Sequence, residues 1–226
     1  MHTSHNEIGY SDVTGVLLAG GKSTRMGCDK ASIEVSGQTV FSRSLDFLQQ
    51  LFSRVIIAGN RPGLALPEIP AVPDIYPGSA LGGLYTGLKS AETDWIFVTP
   101  CDMPYPDSDI VDLLFRLHEG ADAVVPQTPG GYEPVFAFYH KRCLPIFEDA
   151  LIRGRKSIFA LYPQLNVRFL EWQDMPAGWE KSMLNINTPE DLERIKKGHE
   201  LNHQLFRSLP KMVSTELPCS KCCQES

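Results

Sequence analysis

Apolar and polar residues along this chain follow two alternating rhythms. Short, unbroken apolar runs occur at "VTGVLL" (13–18), "RVIIAG" (54–59), "DWIFVTP" (94–100) and "DAVVP" (122–126), with a shorter one at "AVP" (71–73). Runs of this length and β-branched content read as strands buried on both faces. Between them the apolar positions fall at helical spacing: Val40, Leu45, Leu48, Leu51 and Phe52 form one stripe, and 81–91 and 107–118 form two more. The alternation predicts an α/β fold, a mostly parallel sheet covered by helices on both faces.

The second half is less regular. "YEPVFAFY" (132–139) and "NVRFLEW" (166–172) read as strands, 141–152 as a helix, and 182–197 as a strand followed by a helix. Thr188 is placed to cap that last helix, with Pro189 at its first position and Glu190 and Asp191 facing its dipole. No internal repeat is present. The pattern predicts a flexible N-terminus over 1–12, one domain over 13–198, and a helix extension with a loose tail over 199–226.

Open parallel sheets bind ligands beyond the carboxyl ends of their strands. Two polar loops leave such ends. "LAGGKSTRMGCDK" (18–30) follows the first strand and carries three glycines, two lysines, one arginine and one aspartate; "PCDMP" (100–104) follows "DWIFV". A flexible, positively charged loop behind a buried strand suits a phosphate compound. It is not a Walker-type loop, because Gly21-Lys22-Ser23 would need a glycine where Val16 stands, and the dinucleotide pattern G-x-G-x-x-G is also unmatched.

Charge narrows the ligand. The 226 residues include 21 basic and 27 acidic ones, a net charge of -6, which removes the basic footprint of a nucleic-acid binder. A basic loop in an acidic chain points instead to a small anion. No stretch approaches the roughly 20 apolar residues of a membrane span, and "MHTSHNEIGYSD" lacks the apolar centre of a signal peptide. A cytoplasmic protein with its six cysteines as thiols is expected. His199, His203 and Cys219-x-x-Cys222 have metal-like spacing, but no second C-x-x-C accompanies them.

The pattern L-A-G-G-x-x-x-R-M-G-x-D-K resembles the nucleotidyltransferases that make activated cofactors and sugars, and in its details the molybdenum cofactor guanylyltransferase (MobA) family. Four further segments match in order: "PDIYPGSALGGL" (73–84), "PCDMP" (100–104), "EPVFAFY" (133–139) and "NINTPEDL" (185–192). The resemblance implies a three-layer Rossmann-like sheet of the nucleotide-diphospho-sugar transferase type. It implies transfer of GMP from GTP to the terminal phosphate of molybdopterin with release of pyrophosphate, and molybdoenzyme maturation proteins as partners.

That reaction joins two polyanions, so it asks for positioning and charge neutralisation and not for a general base. Gly20 and Gly21 would let backbone N–H groups approach the triphosphate, Arg25 offers a fork of donors, and Lys30 a movable charge. By resemblance Leu18, Ala19, Gly20 and Lys30 contact the nucleotide, Arg25, Lys30 and Asp102 are catalytic, and Asp102 holds Mg²⁺, a cation that favours carboxylates and phosphates. Asp74 with the loop reaching Gly82 would read guanine, whose N1–H and N2–H₂ are a donor pair that cytosine lacks. Ser79-Ala80-Leu81 departs from the family's usual G-P-L in that loop, and cytidylyl transfer is the alternative. Asn185 and Asn187, two apart and so on one face of a strand, belong by resemblance to the molybdopterin side. A local reading stays open beside each: Asp102 or Asp107 capping the next helix, and Asn187 bonding its own backbone. A protein that binds GTP or molybdopterin and only delivers the cofactor is the non-enzymatic alternative.

Overall fold

In the computed structural model the described residues are 10–20, 33–35, 37–59, 62–64 and 66–196. In chain order they form β1 (Val13–Leu18), β2 (Glu34–Val35), β3 (Gln38–Thr39), α1 (Val40–Leu51), β4 (Arg54–Ala58), β5 (Ala71–Val72), α2 (Ala80–Ser90), β6 (Trp95–Pro100), α3 (Ser108–Arg116), β7 (Ala123–Thr128), β8 (Gly131–Tyr132), β9 (Ala137–His140), α4 (Leu144–Ile152), β10 (Val167–Glu171), α5 (Trp179–Ser182) and α6 (Pro189–Lys196). The main sheet runs β10-β7-β9-β6-β1-β4-β5, with β8 paired to β7, and β2-β3 form a separate hairpin that the sequence pattern did not announce.

The strands β10, β7, β6, β1, β4 and β5 share one direction. β9 runs against both β6 and β7, and β8 runs against β7, so the sheet is mixed, mostly parallel with two reversed strands. The expected strand 132–139 is two short strands split by a turn at 133–136. Pro134 has no N–H to give a ladder, and the Phe136 N–H closes the turn by donating to the Glu133 carbonyl at 3.2 Å. The expected strand before α6 is also absent: residues 184–187 are irregular, since no neighbouring strand lies alongside to pair with them.

Alternate residues of β1 feed two cores. Val13 and Leu17 join Phe41, Leu48 and Ile110 beneath α1 and α3, whereas Val16 and Leu18 join Leu84, Leu88 and Phe147 beneath α2 and α4. Tyr10 belongs to the first core, with its ring 5.0 Å from both Phe52 and Phe115 and its hydroxyl donating to Asp112. The packed domain thus begins before β1. Thr39 caps α1 by accepting from the Ser42 N–H at 3.1 Å, and Asp107 caps α3 by accepting from Asp109.

β1 approaches α2 closely. A Cβ on Gly87 would lie 2.6 Å from Cγ1 of Val16, a buried β-branched side chain with no room to turn. Gly87→Ala should therefore lower stability by about 1–3 kcal/mol despite alanine's better helix propensity. A fall in urea midpoint at unchanged slope is the expected result, and an unchanged midpoint would contradict this packing.

Candidate functional site

The carboxyl ends of the parallel strands are stitched to one another. Beyond β1, the Leu18 carbonyl accepts from the Cys101 N–H at 3.2 Å and the Ala19 N–H donates to the Ala58 carbonyl at 2.8 Å. Beyond β4, the Gly59 N–H donates to Val72 at 3.0 Å. Gly59 has φ +153°, and a Cβ there would sit 2.7 Å from the Ala19 carbonyl carbon. The chain at Leu18, Ala19 and Gly20 is thus seated directly on the neighbouring strand end, which only glycine at 59 permits.

Asp74 enters from the next loop. A Cβ on Gly20 would be 3.1 Å from its Oδ2 and one on Gly83 would be 3.6 Å from its Oδ1, so the carboxyl lies between the glycine loop and the first turn of α2. Burial raises its pKa above the ordinary carboxylate value. The loop is held by Thr86, whose Oγ1 accepts from the Ile75 N–H at 2.9 Å and donates to the Gly82 carbonyl at 2.8 Å. Ser79, where the sequence departs from the family's pattern, is the N-cap of α2 and accepts from the Gly82 N–H at 3.1 Å. Gly82 itself lies against the Tyr76 carbonyl with no space for a Cβ. Its glycine is required by that close approach.

Asp102 follows β6 and is partly exposed at the same edge. Its position is set by its backbone neighbours. Its own carbonyl accepts from the Ile186 N–H at 2.9 Å, and the Met103 carbonyl accepts from Ser44 Oγ of α1 at 3.2 Å. Two residues on, Lys181 Nζ stands 4.3 Å above the Tyr105 ring and the Arg43 guanidinium 5.8 Å from it, a cation–π clamp that ties the loop to α1 and α5.

The Ile186 contact brings the two asparagines to Asp102. Ile186 is fully buried with Ile33, Val35 and Val40, while Asn185 keeps partial exposure and Asn187 is exposed. The backbone N–H groups of Asn187 and Thr188 both donate to Asp191 Oδ2, at 3.0 and 2.9 Å, and Thr188 Oγ1 accepts from the Asp191 N–H at 3.2 Å. This reciprocal cap realises the expected N-cap at Thr188. Asn185 Oδ1 is buried without a hydrogen-bond partner among the described residues.

The structure therefore brings Leu18, Ala19, Gly20, Asp74, Gly82, Asp102, Asn185 and Asn187 to one edge. Gly21, Arg25 and Lys30 lie outside the described residues, as do Cys219 and Cys222. Among the described residues no group of three His, Cys, Asp or Glu side chains could hold a metal ion. A cage made wholly of protein is not what Mg²⁺ needs, however. It is commonly held by one or two carboxylates and substrate phosphates, and Asp102 can supply one such oxygen ligand.

The sequence reading passed over Glu133. It stands at the same edge, between β8 and β9, with its backbone N–H donating to the Pro126 carbonyl at 3.0 Å. Burial pushes its carboxyl up to about 7 from an ordinary 4.5, with no charged partner among the described residues to offset the cost. In sequence it reads as one polar position in an apolar run; the enclosure comes from Pro134 and the turn that follows.

Comparison with known proteins agrees with this geometry. The family model of the MobA-like NTP transferase domain matches residues 15–168. A molybdenum cofactor guanylyltransferase from Vibrio atlanticus is 35% identical over 184 residues, 78% of this chain and 92% of the relative. The enzyme of that name from Vibrio cholerae is 32% identical over 194 residues, 84% of this chain and 94% of the relative. Among solved structures, molybdopterin-guanine dinucleotide biosynthesis protein A from Archaeoglobus fulgidus superposes with TM-score 0.72 at 23% identity, covering 81% of this chain and 97% of that one. The 2-C-methyl-D-erythritol 4-phosphate cytidylyltransferase of Thermus thermophilus has TM-score 0.60 at 16% identity, covering 80% and 96%. The two structures share the fold while their names carry different bases.

Glu133 gives this edge a measurable pH dependence. Its folded pKa is raised, so the folded state loses stability relative to the unfolded as pH climbs from about 4.5 to about 7, and no further above that. Glu133→Gln should be more stable than the parent at pH 8, by up to ~3 kcal/mol, with the gap closing by pH 4. Urea titrations at the two pH values measure this, and a gap independent of pH would refute it.

Proposed function

The chain belongs to the MobA-like NTP transferase family, and from that membership we propose that it transfers GMP from GTP to the terminal phosphate of molybdopterin. The observation that carries this reading is the meeting of three segments at one sheet edge: the glycine loop after β1, Asp102 after β6, and Asn185 to Asn187 bound to the Asp102 backbone. Relatives at 32 and 35% identity that bear the guanylyltransferase name support it.

In this reaction an oxygen of the molybdopterin phosphate attacks the α-phosphorus of GTP. A new P–O bond forms, the bond from the α-phosphorus to the bridging oxygen breaks, and pyrophosphate leaves with the electron pair. The acceptor oxygen is already anionic, so no proton has to be removed. The chain's task is alignment and charge neutralisation. The Gly20 N–H is the backbone donor offered to phosphate oxygens, the Ala19 N–H being committed to the Ala58 carbonyl, and Gly21, Arg25 and Lys30 are assigned to the same phosphates by their place in the sequence motif. Asp74, half-buried and beside Gly20, accepts the N1–H and N2–H₂ donors of guanine. Asn185 and Asn187 receive the molybdopterin phosphate through their side-chain NH₂ groups, the donors such an anion accepts from. Asp102 is the residue that would hold Mg²⁺, whose charge when bound neutralises phosphate oxygens. No helix among the described residues is long and apolar enough to cross a membrane, which agrees with our placing the reaction in the cytoplasm, with molybdoenzyme maturation proteins receiving the product.

Pyrophosphate release with Mg²⁺ and molybdopterin, compared across GTP, CTP, ATP and UTP, tests the reading. Release with GTP only, and only when molybdopterin is present, is expected. Release with CTP instead would make the chain a cytidylyltransferase, and binding of GTP without any release would make it a delivery protein. Lys30→Ala and Asp102→Ala should each fold and lose about 10²–10³-fold in kcat, the range seen when one charge-stabilising group is removed. Full activity in either variant would remove that residue from the site.

A further inference from the structure

Asp74 and Glu133 flank Asp102 on opposite sides. Asp74 follows β5, and Glu133 precedes β9, the strand next to β6 on the side away from β1. Four strand spacings separate β5 from β9, roughly 19 Å at about 4.8 Å per strand. Asp102 lies between them, at the end of the strand that pairs with β9. In that pair Val98 stands opposite Ala137, and Asp102 and Glu133 are each four residues beyond it towards the same edge.

Glu133 is an expensive residue at that place. Its carboxyl is enclosed, and among the described residues it makes no hydrogen bond and no ion pair. A pair of tyrosines lies near it. Glu133 acts on the ionisation of Tyr162, whose hydroxyl lies 3.5 Å from that of Tyr139, and the Tyr139 hydroxyl is committed to the Pro134 carbonyl at 2.8 Å. Burial raises its pKa to about 7, and no cation among the described residues relieves it. The residue nonetheless keeps partial exposure at the edge, so a ligand can reach it. Its backbone is fixed at both ends, the N–H to Pro126 and the carbonyl to Phe136, so the carboxyl is presented from a rigid turn.

A largely buried carboxylate carried on a fixed turn is matched by two adjacent N–H donors in one plane, each accepted by one oxygen. The guanine of GTP and the pterin of molybdopterin both present that pair, an N–H beside an amino group on a 2-amino-4-oxo ring. We propose that Glu133 is the acceptor-side recognition residue, taking the 2-amino-4-oxo edge of the molybdopterin pterin as Asp74 takes that of guanine. This rests on the proposed guanylyl transfer, and the assignment to the acceptor follows from position. The transferred phosphate sits at Asp102, the donor's base lies towards β5, and Glu133 lies on the other side.

Glu133→Gln keeps the shape and exchanges one acceptor oxygen for an amide NH₂, which repels the donor pair. With the full-length chain, the variant should raise the KM for molybdopterin at least tenfold while the KM for GTP moves less than twofold. A rise in the GTP KM alone would place guanine at Glu133 and overturn the assignment, as would an unchanged molybdopterin KM. A second readout is independent of turnover: binding of pterin, followed by its fluorescence, against lumazine, which carries oxygen in place of the 2-amino group. The parent should prefer pterin to lumazine at least tenfold and Glu133→Gln should lose that preference; equal binding of the two rings by the parent would refute the proposal. Loss of the pterin preference in a chain that shows no turnover with any nucleotide would sustain the Glu133 site and sink guanylyl transfer. Turnover by the parent with no pterin preference would do the reverse.

Discussion

The parallel pairing of β1 with β6, in register from Val13 opposite Trp95 to Leu18 opposite Pro100, is the constraint on which the site depends. Because the two strands end together, the loops that leave them start side by side, and the Cys101 N–H is bonded back to the Leu18 carbonyl. A slip of one residue would turn Val16 and Leu17 to the wrong cores and carry Asp102 away from the glycine loop. Burial of both faces of β1, with Leu17 and Val16 wholly inaccessible, is what makes such a slip prohibitive.

Around that pair, close packing substitutes for side chains. Gly59 lets the turn after β1 rest on β4, Gly82 lets α2 begin against the Tyr76 carbonyl, and Gly87 seats α2 on Val16. The backbone therefore comes near the surface where a phosphate would bind, and Asp74 is lodged between Gly20 and Gly83 as a consequence. On the opposite face the demands are polar: Ser44 holds the Met103 carbonyl, and Arg43 and Lys181 bracket Tyr105. The loop that carries Asp102 is thus held by α1 and α5.

Two carboxyls at this edge, Asp74 and Glu133, have raised pKa values for the same reason, burial that disfavours the charged form. In a chain of net charge -6 such groups are a stability cost. Each is offset when a ligand supplies N–H donors, so binding and folding are coupled through the same desolvation. The glycine loop, in contrast, is basic.

Much of this was legible from residues alone. Unbroken apolar runs located β1, β4, β6 and β7, and helical spacing located α1, α2 and α3, because burial on both faces of a sheet and on one face of a helix leaves those marks. The glycine loop, Asp74, Asp102, Asn185 and Asn187 were identifiable from motif order, and Thr188 as a cap from local chemistry. What the pattern could not supply depended on partners distant in sequence. β9 reverses direction because of the strands that receive it, and 184–187 stays irregular for want of a neighbouring strand. Glu133 is the clearest case. It opens the segment "EPVFAFY", but nothing in that segment tells a buried glutamate from a surface one, and its burial comes only with the folded chain. Local sequence determines which segments bury apolar surface, whereas the solvation of a single carboxyl is decided by everything the tertiary fold packs around it.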